Sequence, residues 1–159
     1  MPEPALRIRP AAEDDLPVIL ELYRHLDAAT VALQPDFYCE APRERDLVLE
    51  QLRRADADYL LAELDGVAAG FVLVAYAGWT PTFSIVLPHR YAELCDLVVA
   101  PPYRRQGVGA ALVAAAKRWA RDRRYEYLEL TVLAQNDEGI ALYEAQDFIE
   151  ASRRLRCML

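Results

Sequence analysis

Two arginines and two glycines fall together in "RRQGVG", residues 104–109, between an apolar β-branched pair, Val98-Val99, and an alanine-rich run. Apolar β-branched residues favour a strand and alanines a helix, so this turn opens a helix. A helix start carries unpaired backbone N–H groups and a partial positive charge. Glycines let backbone approach a ligand closely and adopt positive φ. Such a turn binds anions, phosphate above all, and Arg104 and Arg105 add cationic side chains beside it. A plain strand-to-helix turn explains the same residues, and both readings stand at this point. The stretch is not a phosphate loop of the G-x-x-x-x-G-K-[ST] type, because no Gly-Lys-Ser/Thr follows. Nor is it the dinucleotide pattern G-x-G-x-x-G, because Leu112 occupies the third glycine position.

The elements around the turn follow from period. "LRIRP" (6–10) alternates like a half-buried strand. Asp14 or Asp15 can cap a following helix with Pro17 in its first turn, and Leu16, Ile19, Leu20, Tyr23 and Leu26 share one face. Residues 33–42 read as a loop, and helical spacing resumes over 43–54. Asp65-Gly66 between two apolar runs signals a tight hairpin. "YAELCDLVVA" is a strand, and Val108, Leu112, Ala115 and Trp119 form the buried stripe of the helix after the turn. Residues 127–133 alternate as a strand, Asn136 caps a short helix, and "FIEA" and "RLRCML" read as two final strands. Strand pairs mixed with helices predict a mixed α/β sheet.

The chain has 159 residues, enough for one domain with its own core, residues 1–159. Its N-terminus lacks the apolar core of a signal peptide, and no apolar run is long enough for a membrane span. Cys39, Cys95 and Cys157 are odd in number and widely spaced. They suit a reduced, cytoplasmic compartment and suggest neither a disulfide framework nor a metal site. A net charge of −7 argues against nucleic acid as partner. The charge is uneven: residues 1–100 are acidic, and residues 101–159 are slightly basic.

"DLVVAPPYRRQGVGAALVAAAKRWA" followed by "LELTVLAQNDEGIALYEAQDF" resembles the GNAT superfamily of N-acetyltransferases. Arg104, Gly107 and Gly109 match the family's Arg/Gln-x-x-Gly-x-Gly/Ala. Asn136, Leu142-Tyr143 and Phe148 match its second mark. Asp147 replaces the usual glycine before that phenylalanine, and aspartate tolerates left-handed φ better than most residues. Gly139 stands where alanine is common.

The resemblance implies a mostly antiparallel twisted sheet with a splayed central parallel strand pair and about four helices. It also implies acetyl-coenzyme A as donor. The pyrophosphate would rest on backbone N–H groups of Arg105, Gln106, Gly107, Val108, Gly109 and Ala110, with Arg104 beside them. The pantetheine arm would pair with strand-edge atoms of Leu97, Val98 and Val99, and Asn136 would contact it. Val98 or Val99 N–H would stabilise the oxyanion. Tyr143 matches the tyrosine that protonates the departing thiolate, a role that a phenol still protonated at neutral pH can fill. Glu93 resembles the proton-accepting glutamate of histone-acetyltransferase-type members, acting directly or through water. Cys95 occupies the position where polyamine-acetyltransferase-like members often carry an acid. Cys95 and Leu97 share the side of Glu93 unless a bulge intervenes, and Asp96 lies on the opposite face in a regular strand. His89 and Tyr91 are reserve bases.

For the acceptor, Asp36, Tyr38, Trp79 and His89 are the candidates, acidic and aromatic groups suited to a cationic amine. The implied reaction moves acetyl to a primary amine of a small molecule or peptide by direct attack in a ternary complex. No metal takes part. Partners beyond donor and acceptor are a second copy of the chain, through a C-terminal strand, with no membrane and no nucleic acid. A catalytically silent acyl-CoA-binding sensor would use the same turn. A nucleotide-binding module ranks last, for want of an acidic ribose clamp or Mg²⁺ motif.

Overall fold

Asp65 (φ +52°) and Gly66 (φ +80°) both take the positive φ that a two-residue hairpin needs. They join β2 (Ala57–Leu64) to β3 (Val67–Tyr76). β1 (Leu6–Pro10) pairs antiparallel with β2, and β4 (Tyr91–Val99) pairs antiparallel with β3. β5 (Tyr127–Glu129) lies parallel to β4, which completes a five-stranded sheet in the order β1-β2-β3-β4-β5. The computed structural model describes residues 5–159. The signal-peptide reading falls partly on Met1–Pro4, outside the described residues.

Among the described residues four α-helices cover the sheet: α1 (Leu16–Leu33), α2 (Arg45–Arg53), α3 (Val108–Asp122) and α4 (Asp137–Ala145). Alternation along the strands makes two cores. On one face Leu60, Val72, Val74 and Leu94 pack against Val108, Leu112, Ala116 and Trp119 of α3. On the other, Tyr59, Leu61, Phe71, Leu73 and Val98 pack against Leu16, Ile19, Leu22 and Tyr23 of α1 and Val48 of α2. β2 and β3 are buried on both faces, which is why their sequences are almost continuously apolar. Among the described residues no helix is long and apolar enough to cross a membrane.

Three sequence expectations are corrected. Asp15 does not cap α1 with its side chain; the carboxylate accepts instead from Ala12 N–H and from Arg9 at 2.8 Å. β5 stops at Glu129, not at residue 133. Residues 148–151 and 154–159 form no strands. Alternation alone does not make a strand; the backbone must also find a neighbour to bond. β4 and β5 part after three residue pairs, so the following segments have no sheet edge to join. The tail is left with Ile149, Leu155, Met158 and Leu159 in solvent.

Candidate active site

The turn after β4 is shaped by backbone. A 3-10 turn over Pro101–Tyr103 leads to Arg105 (φ +61°) and Gly107 (φ +81°), the residue that caps α3. These conformations turn successive N–H groups to one side. Among the described residues no N–H from Arg105 to Ala110 has a hydrogen-bond partner. A Cβ at Gly107 would meet nothing within 4 Å, so the space before α3 is open. Gly109 has a packing reason as well: a Cβ there would stand 3.2 Å from Leu142 Cδ2, on α4. The positive end of α3 faces this opening. Arg104 turns back, its Nε donating to Val99 O at 3.0 Å, and Gln106 Nε2 donates to Pro102 O at 3.0 Å. Both long side chains brace the turn, while Arg105 stays exposed and unpaired among the described residues. Val108 is fully buried and contributes its backbone alone.

The turn opens onto a gap in the sheet. β4 and β5 pair only at Tyr91↔Tyr127, Ala92↔Leu128 and Glu93↔Glu129. Beyond Glu93 the β5-facing edge of β4 has no strand partner among the described residues. Residues along a strand direct their N–H and C=O groups alternately to either side. Val98 faces β3, since its carbonyl would lie 2.3 Å from a Cβ at Gly70. Leu97 and Val99 therefore face the gap, with Arg104 already on the Val99 carbonyl. Of the three strand residues expected to offer backbone, Val98 is the one that does not.

α4 lines the same opening. Asn136 caps it, its Oδ1 accepting from Gly139 N–H at 2.9 Å. A Cβ at residue 139 would stand 2.6 Å from Asn136 Nδ2, so glycine leaves room for the cap. Tyr143 follows on this helix, half-buried and edge-on to Phe148 at 5.7 Å between ring centres. Its hydroxyl has no partner among the described residues. Burial, with the Asp96 charge adding to it, pushes the Tyr143 phenol up to about 12. Asp147 ends the helix turn at φ +65°, the left-handed conformation expected of the residue that replaces glycine.

The carboxylates of β4 follow from an irregularity. Leu73 pairs with Asp96, but Val74 pairs with Leu94, which leaves Cys95 bulged out. Ala92 and Leu94 face α3 before the bulge, and Leu97 and Val99 face it after. The bulge thus turns Asp96 to the α1 side, along with exposed Glu93. There Tyr23 O–H donates to Asp96 Oδ2 at 2.8 Å. Tyr59 lies 2.9 Å from the Tyr23 oxygen and supplies the proton of that second bond, since Tyr23 has only one to give. Burial raises the pKa of both phenols, so both stay protonated. The Arg43 guanidinium sits 4.3 Å over the Tyr23 ring and is held by Asp27 at 2.9 Å. From sequence, Tyr23 is placed only on the apolar face of its helix and Asp96 only on the face opposite Glu93, and no role is assigned to Tyr59 or Arg43. One signal was present: the apolar spacing Ala92, Leu94, Leu97, Val99 skips a residue at the bulge.

The acceptor candidates separate. Asp36 and Tyr38 lie in the exposed loop after α1, whose far end delivers Arg43 to Tyr23. Trp79 and His89 line an open cleft of about 310 Å³ with Tyr76, Arg90 and Glu126. That cleft is at the start of β4, and six residues at about 3.3 Å each put it roughly 20 Å from Leu97. The structure therefore does not bring Trp79 and His89 to the opening. His89 Nδ1 is 3.2 Å from Glu126, which also accepts from Arg90 N–H. Tyr91, the other reserve base, stacks on Tyr127 at 4.7 Å.

The chain is similar in sequence and fold to known proteins. Residues 21–148 match the Acetyltransferase (GNAT) family. An uncharacterized N-acetyltransferase of Archaeoglobus fulgidus is 33% identical over 147 residues, covering 89% of this chain and 92% of that one. A crystal structure of a mutant of the BH1408 protein from Bacillus halodurans has a TM-score of 0.90 over 96% of this chain and 99% of the other. At 17% identity that is a likeness of fold alone. The aminoglycoside N-acetyltransferase AAC(6')-Iy in complex with CoA has a TM-score of 0.70 at 21% identity, over 98% of this chain and 95% of the other. The chain therefore belongs to the acetyltransferase (GNAT) family and is an N-acetyltransferase, an enzyme that uses acetyl-CoA to acylate amines.

Proposed function

We propose that the protein transfers acetyl from acetyl-CoA to a primary amine of a small molecule or peptide, by direct attack in a ternary complex. The observation that carries this reading is the unpartnered N–H run from Arg105 to Ala110 opening onto the edge of β4 that has no strand partner among the described residues. Pyrophosphate matches the first in charge and geometry. The amide-rich pantetheine matches the second, pairing with Leu97 and Val99. The Val99 N–H is the oxyanion donor. Tyr143 gives its proton to the departing sulfur, and Glu93 takes the acceptor's proton through water. None of these steps calls on a metal.

Acceptor choice belongs to the α1 side of β4, with Asp36 and Tyr38 in the loop above it. The three cysteines are free, as a reducing cytoplasm would keep them. Association into a homodimer is part of the same proposal. The tail residues Ile149, Leu155, Met158 and Leu159 are exposed and apolar and β5 is an edge strand, and a second copy would cover both. Light scattering on the full chain and on a chain ending at Phe148 tests it: a dimer that becomes a monomer is expected.

The test of activity is thiol release from acetyl-CoA across a chemically varied amine panel: spermidine, kanamycin, lysine and a lysine peptide. Turnover with at least one amine is expected. Background release with all of them, while acetyl-CoA still binds, would favour a silent acyl-CoA sensor.

A further inference from the structure

We infer that Asp96, turned to the α1 face by the bulge at Cys95 and held there by Tyr23, is the carboxylate that receives the acceptor's ammonium group. The inference rests on the acetyltransferase reading above and names the group that meets its second substrate.

Four observations converge on this residue. The first is direction. The bulge places Asp96 on the face opposite α3, directly before Leu97, whose backbone looks into the donor gap. Adjacent Cα atoms are about 3.8 Å apart, so the carboxylate borders the reacting centre. The second is orientation. The chain Tyr59 to Tyr23 to Asp96 Oδ2 fixes one oxygen, and Tyr23 is itself locked, 2% exposed and 4.8 Å from the Phe71 ring. The third is vacancy. Asp96 Oδ1 has no hydrogen-bond partner and Asp96 no salt bridge among the described residues. The nearby cation, Arg43, is already engaged by Asp27. The fourth is reach. The Asp96 charge raises the Tyr143 phenol, so the carboxylate and the proposed acid lie within electrostatic range of each other.

The proton balance follows. The acceptor enters as R–NH₃⁺ and pairs with Asp96 Oδ1. One proton passes to that carboxylate and on, through water and Glu93, to solvent. The freed nitrogen lone pair attacks the thioester carbonyl, so a C–N bond forms. The tetrahedral intermediate collapses, and the C–S bond breaks. Tyr143 protonates the leaving sulfur and is reprotonated by the second proton lost from nitrogen. The products are R–NH–acetyl, coenzyme A thiol and one proton in solvent. The groups around Asp96 are Tyr23 from α1, Tyr59 from β2, Arg43 before α2, and Glu93 and Cys95 from its own strand, with the Tyr143 phenol of α4 within range of its charge. An acceptor chosen by this carboxylate is a basic alkylamine, charged at neutral pH.

The test uses the full chain saturated with acetyl-CoA, with spermidine, kanamycin and lysine as charged acceptors and hydrazine as a weakly basic one. Asp96→Asn should lower kcat/KM for the charged acceptors about 100-fold at pH 7, the usual scale of general-base loss. Acetyl-CoA affinity should change less than about twofold, because the donor site is backbone. The defect should shrink for hydrazine, and for every acceptor as pH rises, because free amine then needs no proton acceptor. Tyr23→Phe removes one hydroxyl and keeps the ring. It should raise acceptor KM about tenfold and leave acetyl-CoA KM unchanged, a split that a folding defect would not give. An active wild type with Asp96→Asn within about threefold of it would overturn the Asp96 assignment and leave the acetyltransferase reading standing. So would equal defects for hydrazine and spermidine. A wild type that releases no thiol with any acceptor overturns both.

Discussion

Between Leu97 and Ala110 the chain offers a ligand its backbone; between Tyr23 and Asp96 it offers side chains. The donor region is contiguous in sequence, and its N–H groups point outward because glycine and left-handed residues turn them there. The acceptor region is assembled from Tyr23 on α1, Arg43 before α2, Tyr59 on β2 and Asp96 on β4. A backbone site tolerates many side chains as long as its turn survives. A side-chain site depends on each hydroxyl and carboxylate. The two regions should therefore fail differently when mutated.

The largest effect tests where they meet. Tyr143→Phe should lower kcat about 100-fold while acetyl-CoA affinity stays within about twofold, measured by steady-state kinetics and calorimetry. Retained kcat would remove Tyr143 from the acid role and leave the thiolate to depart unaided. Next is Gly107→Asp. Its side chain enters open space but at φ +81°, and it adds a negative charge where the cradle meets phosphate. We expect acetyl-CoA to bind about 30-fold more weakly, roughly 2 kcal/mol, with acceptor KM little changed. Unchanged donor affinity would break the contrast outright.

Legibility followed the same division. The glycine turn before α3, the Asp65-Gly66 hairpin, the α3 stripe and the left-handed Asp147 were all readable as conformation, because each depends on neighbours within a few residues. The bulge at Cys95 left only a skipped residue in the apolar spacing, because it is a shift of β4 against β3. That one shift reverses the face of Asp96. It separates an inert reading of the residue from the one that joins it to Tyr23. The same non-locality explains the C-terminal strands. "FIEA" and "RLRCML" alternate well enough, but β5 leaves β4 after Glu129 and gives them no edge. His89 lies four residues before Glu93, and the cleft it shares with Trp79 sits at that same end of β4. It is Leu97, and the donor opening with it, that the length of β4 puts roughly 20 Å away.

A pH profile sharpens the contrast at lower amplitude. Burial raises the Tyr143 phenol from 10.0 to about 12, so the acid form persists to higher pH than an exposed phenol's would. The sign is fixed: the group works while protonated, so its contribution is present below its pKa and lost above it. kcat should show no fall centred near pH 10 on the basic side. A fall at that value would mean that water reaches the Tyr143 hydroxyl freely. The structure instead leaves it half-buried beside Phe148.

The smallest expected effect decides between two roles of one residue. Asn136 could touch the pantetheine, yet its Oδ1 is committed to Gly139 N–H as the cap of α4. Removing a cap of this kind costs about 1 kcal/mol. Asn136→Ala should therefore lower the melting temperature by a few degrees and kcat by about threefold, since α4 carries Tyr143. Acetyl-CoA affinity should hold within about twofold if the cap is the whole role. A tenfold loss of affinity with little change in melting temperature would instead assign the free Nδ2 to the donor. That would put one side chain into a site otherwise made of backbone.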